Sequence, residues 1–292
     1  MTDFLRQLIA LTLGGSVAVA LLALTTRLSR TRYAARWRCW LWLLLALRLA
    51  VPVSFDLPKA APVQPPIQIT APTDTVVYTY EPAAPTQPIV PQSTEPVPTV
   101  PVPTQPTEGP EPAGRTLSLY ELVFALWCAG AGGMLLWYAL SHLRFLTYLR
   151  RWSVPVTAPD TIRVFNALGD ELDLARRPTL SRCAGLKVPV LAGLFTPTLL
   201  LPEAEMGEEE LRHSLLHELT HYKRRDIALK TLALLANAVH WFNPAMWYMT
   251  RLVERDTELA CDEAALKHLP AEEHAAYGRT ILNAVERLNA KK

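Results

Sequence analysis

Cysteine is scarce: the 292 residues hold four, Cys39, Cys128, Cys183 and Cys261, far apart and with no C-x-x-C pair. That pattern excludes a disulfide framework or a zinc knuckle. Net charge is equally sparse, at +2, and Lys and Arg fall in short clusters instead of one long basic stripe. No electrostatic footprint for nucleic acid is present. What abounds is apolar residues, 50% of the chain, together with 25 prolines and a mean hydropathy of +0.13. This is not the composition of one ordinary soluble globule, and the averages conceal three different regions.

Long apolar runs form the first. FLRQLIALTLGGSVAVALLALTT, residues 4–26, carries one charge, Arg6, and then about twenty uncharged residues, enough to cross a hydrocarbon core of about 30 Å. The run exceeds a signal-peptide core, and Asp3 spoils a basic leader. WRCWLWLLLALRLAVPVSF, residues 37–55, places Trp37, Trp40 and Trp42 at one end as interfacial aromatics, with Arg48 needing a partner helix or water. LSLYELVFALWCAGAGGMLLWYAL, residues 117–140, contains Gly130, Gly132 and Gly133, which let neighbouring helices approach closely. Three transmembrane helices are therefore expected.

Flanking charge sets their orientation. Arg27, Arg30, Arg32, Arg36 and Arg38 follow the first run, and Arg144, Arg150 and Arg151 follow the third, so both flanks belong in the cytoplasm. Residues 56–116 carry six acidic residues against Lys59 and Arg115 and belong outside. Their proline content forbids helix interiors and central strands, which predicts an extended extracytoplasmic linker. The expected organisation is two membrane helices with a basic loop (1–55), the linker (56–116), a third membrane helix (117–140) and a cytoplasmic domain (141–292).

In that domain, TIRVF, PTLSRC, KVPVLAG and PTLLLP between residues 160 and 202 read as short strands of a small sheet with hairpins. From Gly207 the apolar period becomes helical, with Leu211, Leu215 and Leu219 every fourth residue, acidic residues at the start and Lys223 to Arg225 at the end. Lys223, Arg224 and Arg225 complement the helix end and an anionic inner leaflet. This helix carries HELTHYKRRD. His217 and His221, four apart, project from one face and can meet on a single ion, and Glu218 can hold a water on that ion as general base. Zinc suits the donors, and a third protein ligand must come from elsewhere.

LVERDTELACDEAALKHL reads as a second helix. Glu258 can complete the ligand set, with Glu254 one turn earlier as its rival. Asp262, on the same face, can hydrogen-bond the far nitrogen of a ligating histidine, or simply form a salt bridge. Cys261 reads as a small buried hydrophobe. His213 packs or hydrogen-bonds locally, and His240 and Tyr222 are candidate oxyanion stabilisers. The apolar stretch 227–250 cannot cross a bilayer once, because that would part Glu258 from His217. It must be a buried helix, or one that dips into the membrane and returns, with a break before Pro244.

HELTH followed by ELACD resembles the gluzincin metallopeptidases. The longer frame PTLLLPE, HELTHYKRRD, HWFNP, ERDTELACDEAAL is similar to the membrane-bound antirepressor metallopeptidases of the BlaR/MecR type, best over roughly residues 117–285. The resemblance implies an α-helical membrane protein with a cytoplasmic α+β zincin-like (gluzincin) protease domain, located in the plasma membrane. It implies Zn²⁺ on His217, His221 and Glu258, Glu218 as catalytic base, and a protein substrate such as a transcriptional repressor. The other expected partners are membrane lipid and, as an open alternative, a second copy of the chain, with no direct nucleic acid. Family sensors carry a further span and an outer penicillin-binding domain after the protease, whereas this sequence stops at AVERLNAKK and shows no Ser-x-x-Lys outside. Either the chain is cut short or its signal arrives by another route, and direct β-lactam binding is not expected. Two alternatives share these residues: a quality-control or prenyl-protein-processing protease, and a non-enzymatic receptor or scaffold with structural zinc.

Overall fold

The computed structural model describes residues 2–28, 35–51 and 118–290. The expected proline-rich linker lies outside the described residues. The chain divides into two units, 55–116 and 1–54 with 117–292, and the helices and strands below all belong to the second.

Helix α1 (Thr2–Leu28), α2 (Ala35–Ala50) and α3 (Leu119–Trp152) come from the three apolar runs. Ser118 caps α3 in a capping box with Glu121, satisfying two N-terminal amides reciprocally. Among the described residues, two helices are long and apolar enough to cross a membrane, at Asp3–Thr26 and Leu119–Trp152. The 16 residues of α2 rise only about 24 Å, because the helix ends two residues before Pro52. Arg48 lies in its last turn, where it donates to the Val51 carbonyl. Trp42 is not an interfacial aromatic as expected: it is 1% exposed and donates its indole N–H to Asp256 Oδ2 at 2.8 Å. Of the three glycines in α3, only Gly130 meets a close neighbour, a Cβ there falling 2.2 Å from the Trp241 ring, while Gly132 and Gly133 face open space.

The sheet contains β1 (Ser153–Pro155), β2 (Thr179–Cys183), β3 (Val190–Ala192) and β4 (Thr198–Leu201), in the order β1-β2-β4-β3. Only β3 and β4 form the expected hairpin, since β2 and β4 run parallel. TIRVF, expected as a strand, is instead helical within α4 (Pro159–Glu171). Pro159 opens that helix, and Phe165, Leu168 and Leu172 recur at helical spacing to pack on Leu215, Leu216 and Leu219. Burial of this stripe outweighs the β preference of isolated Ile and Val.

Helix α5 (Glu208–Arg224) ends at Arg225, whose left-handed φ of 58° turns the chain directly into α6 (Asp226–Val239). The expected break follows at His240 to Asn243, after which Asn243 caps α7 (Pro244–Ala265), with Pro244 in the first turn where no amide is needed. The chain closes with α8 (His274–Asn289). One core joins α1, α2, α6 and α7 through Val19, Trp42, Leu49, Ala233, Met246 and Met249. A second joins α4, β4, α5 and α8. Helices α5 and α7 pack on each other where the two cores adjoin, which fixes the ground on which the site stands.

Candidate metal centre

On α5, His217 and His221 stand one turn apart with their Nε2 atoms 3.1 Å from each other. From α7, Glu258 brings Oε2 to 3.5 Å from His217 Nε2 and 3.3 Å from His221 Nε2. Three acceptor atoms at these separations match the roughly 3.3 Å expected between ligands held 2.0–2.1 Å from a tetrahedral zinc. Helix α6, running out from α5 before α7 returns, brings together residues 37 and 41 positions apart in sequence. The donor set therefore fits the ion.

The opposite ring nitrogens are spoken for. His221 Nδ1 lies 2.8 Å from Asp226 Oδ2, which also accepts from Arg224 Nε at 3.0 Å. His217 Nδ1 lies 3.2 Å from Asp262 Oδ1 and 2.9 Å from the Tyr277 hydroxyl, which donates to the same Asp262 oxygen at 2.8 Å. Carboxylates on both Nδ1 atoms fix the tautomers that turn Nε2 lone pairs inward. Burial resists charging His217, but hydrogen bonds to Asp262, Cys261 and Glu258 lift its pKa well above the ordinary 6.5. Burial acts likewise on His221, which Asp226 first, then Cys261 and Glu258, push up to about 11. Against the cost of burial, hydrogen bonds to both histidines, and the charges of His221 and Lys230, hold Glu258 far below the usual carboxylate range. The three shifts are reciprocal, each histidine being drawn up by the carboxylates around it and Glu258 being drawn down by the histidines and Lys230.

His217, His221 and Cys261 form another possible triple, with ligand atoms within 4.8 Å of one another. Geometry favours Glu258. The Cys261 thiol donates to the His217 carbonyl at 3.3 Å and lies 3.8 Å from Nδ1, the nitrogen already held by Asp262 and Tyr277. Lys230 Nζ binds Glu258 Oε1 at 2.9 Å and so leaves Oε2 for the histidines.

Glu218 is held by the backbone N–H of Leu191, which donates to Oε2 at 2.8 Å. Burial raises its pKa, while the charges of His217 and His221 act in the opposite sense. The Leu191 N–H points away from β4, so the outer edge of β3 faces the site. A cavity of about 410 Å³ opens there, with Val188, Leu191, Ile281, Val285 and Leu288 among its apolar walls.

Two of the predicted site residues are not in this cluster. His240 is fully buried at the α6–α7 break, with Nδ1 2.9 Å from Thr12 Oγ1 and Nε2 3.2 Å from the Leu49 carbonyl, so it ties α1 to α2. Tyr222, a quarter turn past His221, lines a neighbouring cleft with Phe195 and Arg225, which shares His221 and Leu191 with the site cavity. His240 has both ring nitrogens engaged elsewhere, and Tyr222 is not among the residues lining the site cavity itself. Glu254 is exposed one turn before Glu258, and His213, expected to bond locally, instead links α5 to the distant Thr280 and Glu273. Sequence reasoning missed Asp226, Tyr277 and the Leu191 amide. Asp226 was within reach, five residues past His221 where the helix-end cluster breaks the pattern. Tyr277 comes from α8, 60 residues from His217, and carries no local signal.

A family model described as BlaR1 peptidase M56 matches residues 6–292. Regulatory protein BlaR1 of Bacillus licheniformis is 32% identical over 161 residues, 54% of this chain and 27% of that protein. The methicillin resistance mecR1 proteins of Staphylococcus aureus and Staphylococcus epidermidis are each 33% identical over 107 residues, 36% of this chain and 18% of theirs. The matched stretch thus spans under a third of these relatives' length.

Proposed function

The chain belongs to the BlaR1 peptidase M56 family, and from that premise we propose that it is an integral membrane zinc endopeptidase with a gluzincin-type site that cuts a cytoplasmic protein. The observation that carries this reading is the convergence of Glu258 Oε2 on the paired Nε2 atoms of His217 and His221. Those three residues would hold Zn²⁺, which, when bound, lowers the pKa of a water and polarises the scissile carbonyl. Glu218 takes the proton of the attacking water and delivers it to the leaving amine. Its burial favours that role by keeping the carboxylate basic, and the Leu191 N–H orients it through one oxygen. Asp262, Tyr277 and Asp226 hold the two imidazoles in place.

An extended substrate lies along the outer edge of β3, where the Leu191 carbonyl accepts from its backbone while the Leu191 N–H stays on Glu218, and one apolar side chain enters the cavity against α8. For topology, α1, α2 and α3 cross the membrane around the outer linker, and the domain from about residue 141 is cytoplasmic. The α6–α7 hairpin enters among them and returns: its tip meets α1 at Thr12 and Ser16, α2 at Leu49 and α3 at Trp127. Exposed Leu234, Leu235, Phe242 and Trp247 on that hairpin suit contact with lipid. The relatives' names, a regulatory protein and a methicillin resistance protein, favour a signalling substrate such as a transcriptional repressor over general protein quality control.

The decisive experiment compares wild type with Glu218→Gln, purified in full and assayed for zinc content and for cleavage of cytoplasmic proteins. The enzyme reading expects one zinc per chain in both and cleavage only in wild type. Equal proteolysis by both proteins, or a wild type without zinc, overturns it.

A further inference from the structure

A second cavity, of about 840 Å³, lies on the other side of α5, between its last turn, the first turns of α2 and α6, and the end of α7. Its two carboxylates are already engaged. Asp226 binds His221 and Arg224, and both oxygens of Glu263 accept the Ala35 backbone N–H, at 2.9 and 3.2 Å. Four cations in the wall, Arg36, Lys223, Arg225 and Lys267, have no carboxylate within 4.0 Å among the described residues. Excess positive charge in a concave site selects an anion.

The shape of the exposed surface identifies what the anion is attached to. Trp37 and Trp40 in the cavity wall begin a stripe on α2 that continues through Leu41, Leu44 and Leu47, at the spacing of one helix face. These five side chains are 66%, 51%, 48%, 62% and 53% exposed. From residue 37 to 47 the stripe rises about 15 Å, half of a hydrocarbon core of about 30 Å. A ligand matching both features is charged at one end and carries one leaflet's depth of hydrocarbon at the other. A free phosphate would leave the stripe bare.

We propose that this cavity binds the phosphate headgroup of an anionic phospholipid whose acyl chain lies along the exposed face of α2. The inference rests on reading α2 as membrane-inserted and is independent of the peptidase chemistry. It also gives the lipid a place beside the catalytic machinery, because Arg224 and Asp226 form part of the cavity wall while Asp226 holds His221 on the opposite side.

The test is native mass spectrometry of the full chain from detergent containing equal amounts of phosphatidylglycerol and phosphatidylcholine, with and without soluble glycerol phosphate. Wild type should retain phosphatidylglycerol preferentially, and glycerol phosphate should not displace it. Arg36→Gln/Lys223→Gln/Lys267→Gln should lower that retention about fivefold per charge, about a hundredfold in all, with zinc content unchanged. The matched control Arg163→Gln/Arg279→Gln/Arg287→Gln, outside the cavity, should bind as wild type does. Should the triple variant misfold, Lys267→Gln alone must show the single fivefold step. Equal retention of both lipids, equal loss in the control, or displacement by glycerol phosphate overturns the assignment without touching the zinc reading.

Discussion

Replacing Asp226 by Asn probes the proposed metal centre where its wiring is tightest. A single carboxylate oxygen accepts from both His221 Nδ1 at 2.8 Å and Arg224 Nε at 3.0 Å, and the residue is 4% exposed. The amide keeps the volume and one acceptor but loses the charge that aligns the imidazole and balances Arg224. Partners in this position typically contribute 10- to 100-fold to metal affinity, equivalent to about 1.4–2.7 kcal/mol. Weakening charge-assisted hydrogen bonds in a buried place should also cost about 1.5–3 kcal/mol of stability. Chelator competition on the full chain measures the first quantity, and thermal unfolding at saturating zinc measures the second. Asp262→Asn serves as the internal comparison. His217 Nδ1 keeps the Tyr277 hydroxyl at 2.9 Å when that charge is lost, so its affinity loss should stay below about tenfold. A folded Asp226→Asn protein that binds zinc within about twofold of wild type would refute the claim that this carboxylate tunes the site.

Further outcomes follow from other contacts. Glu258→Ala should abolish stoichiometric zinc while Cys261→Ser retains it, as read by elemental analysis of the purified chains, because the thiol serves the His217 carbonyl. Zinc at about 100 times its dissociation constant should stabilise the fold by about 2.7 kcal/mol, seen as a rise in unfolding temperature that EDTA reverses. Gly130→Val should destabilise the packing of α3 on Trp241 by about 1–3 kcal/mol, given the 2.2 Å approach, whereas Gly133→Val meets nothing within 4 Å and should be near neutral. Trp42→Phe leaves buried Asp256 without the indole donor and should cost about 1–3 kcal/mol in chemical denaturation.

The order of apolar runs, the helix bearing His217, Glu218 and His221, and the break before Pro244 were legible along the chain because each depends on residues within a few turns. Amphipathic spacing and proline stereochemistry act locally, and a four-residue interval by itself puts two imidazoles on one helix face. For the third position, helical spacing alone left Glu254 as a rival to Glu258, and the family resemblance made the choice of Glu258. Their separation came from the path of α6, which sets the rotation and height at which α7 passes α5. The same long-range packing drew TIRVF into a helix, buried Trp42, sent His240 away from the cavity, and brought Tyr277 to His217 from α8. Contacts of this kind join residues tens of positions apart, and their energy depends on which surfaces meet once loop and helix lengths are set. Local sequence determined which chemical groups were available, while tertiary packing decided which of them share a charge.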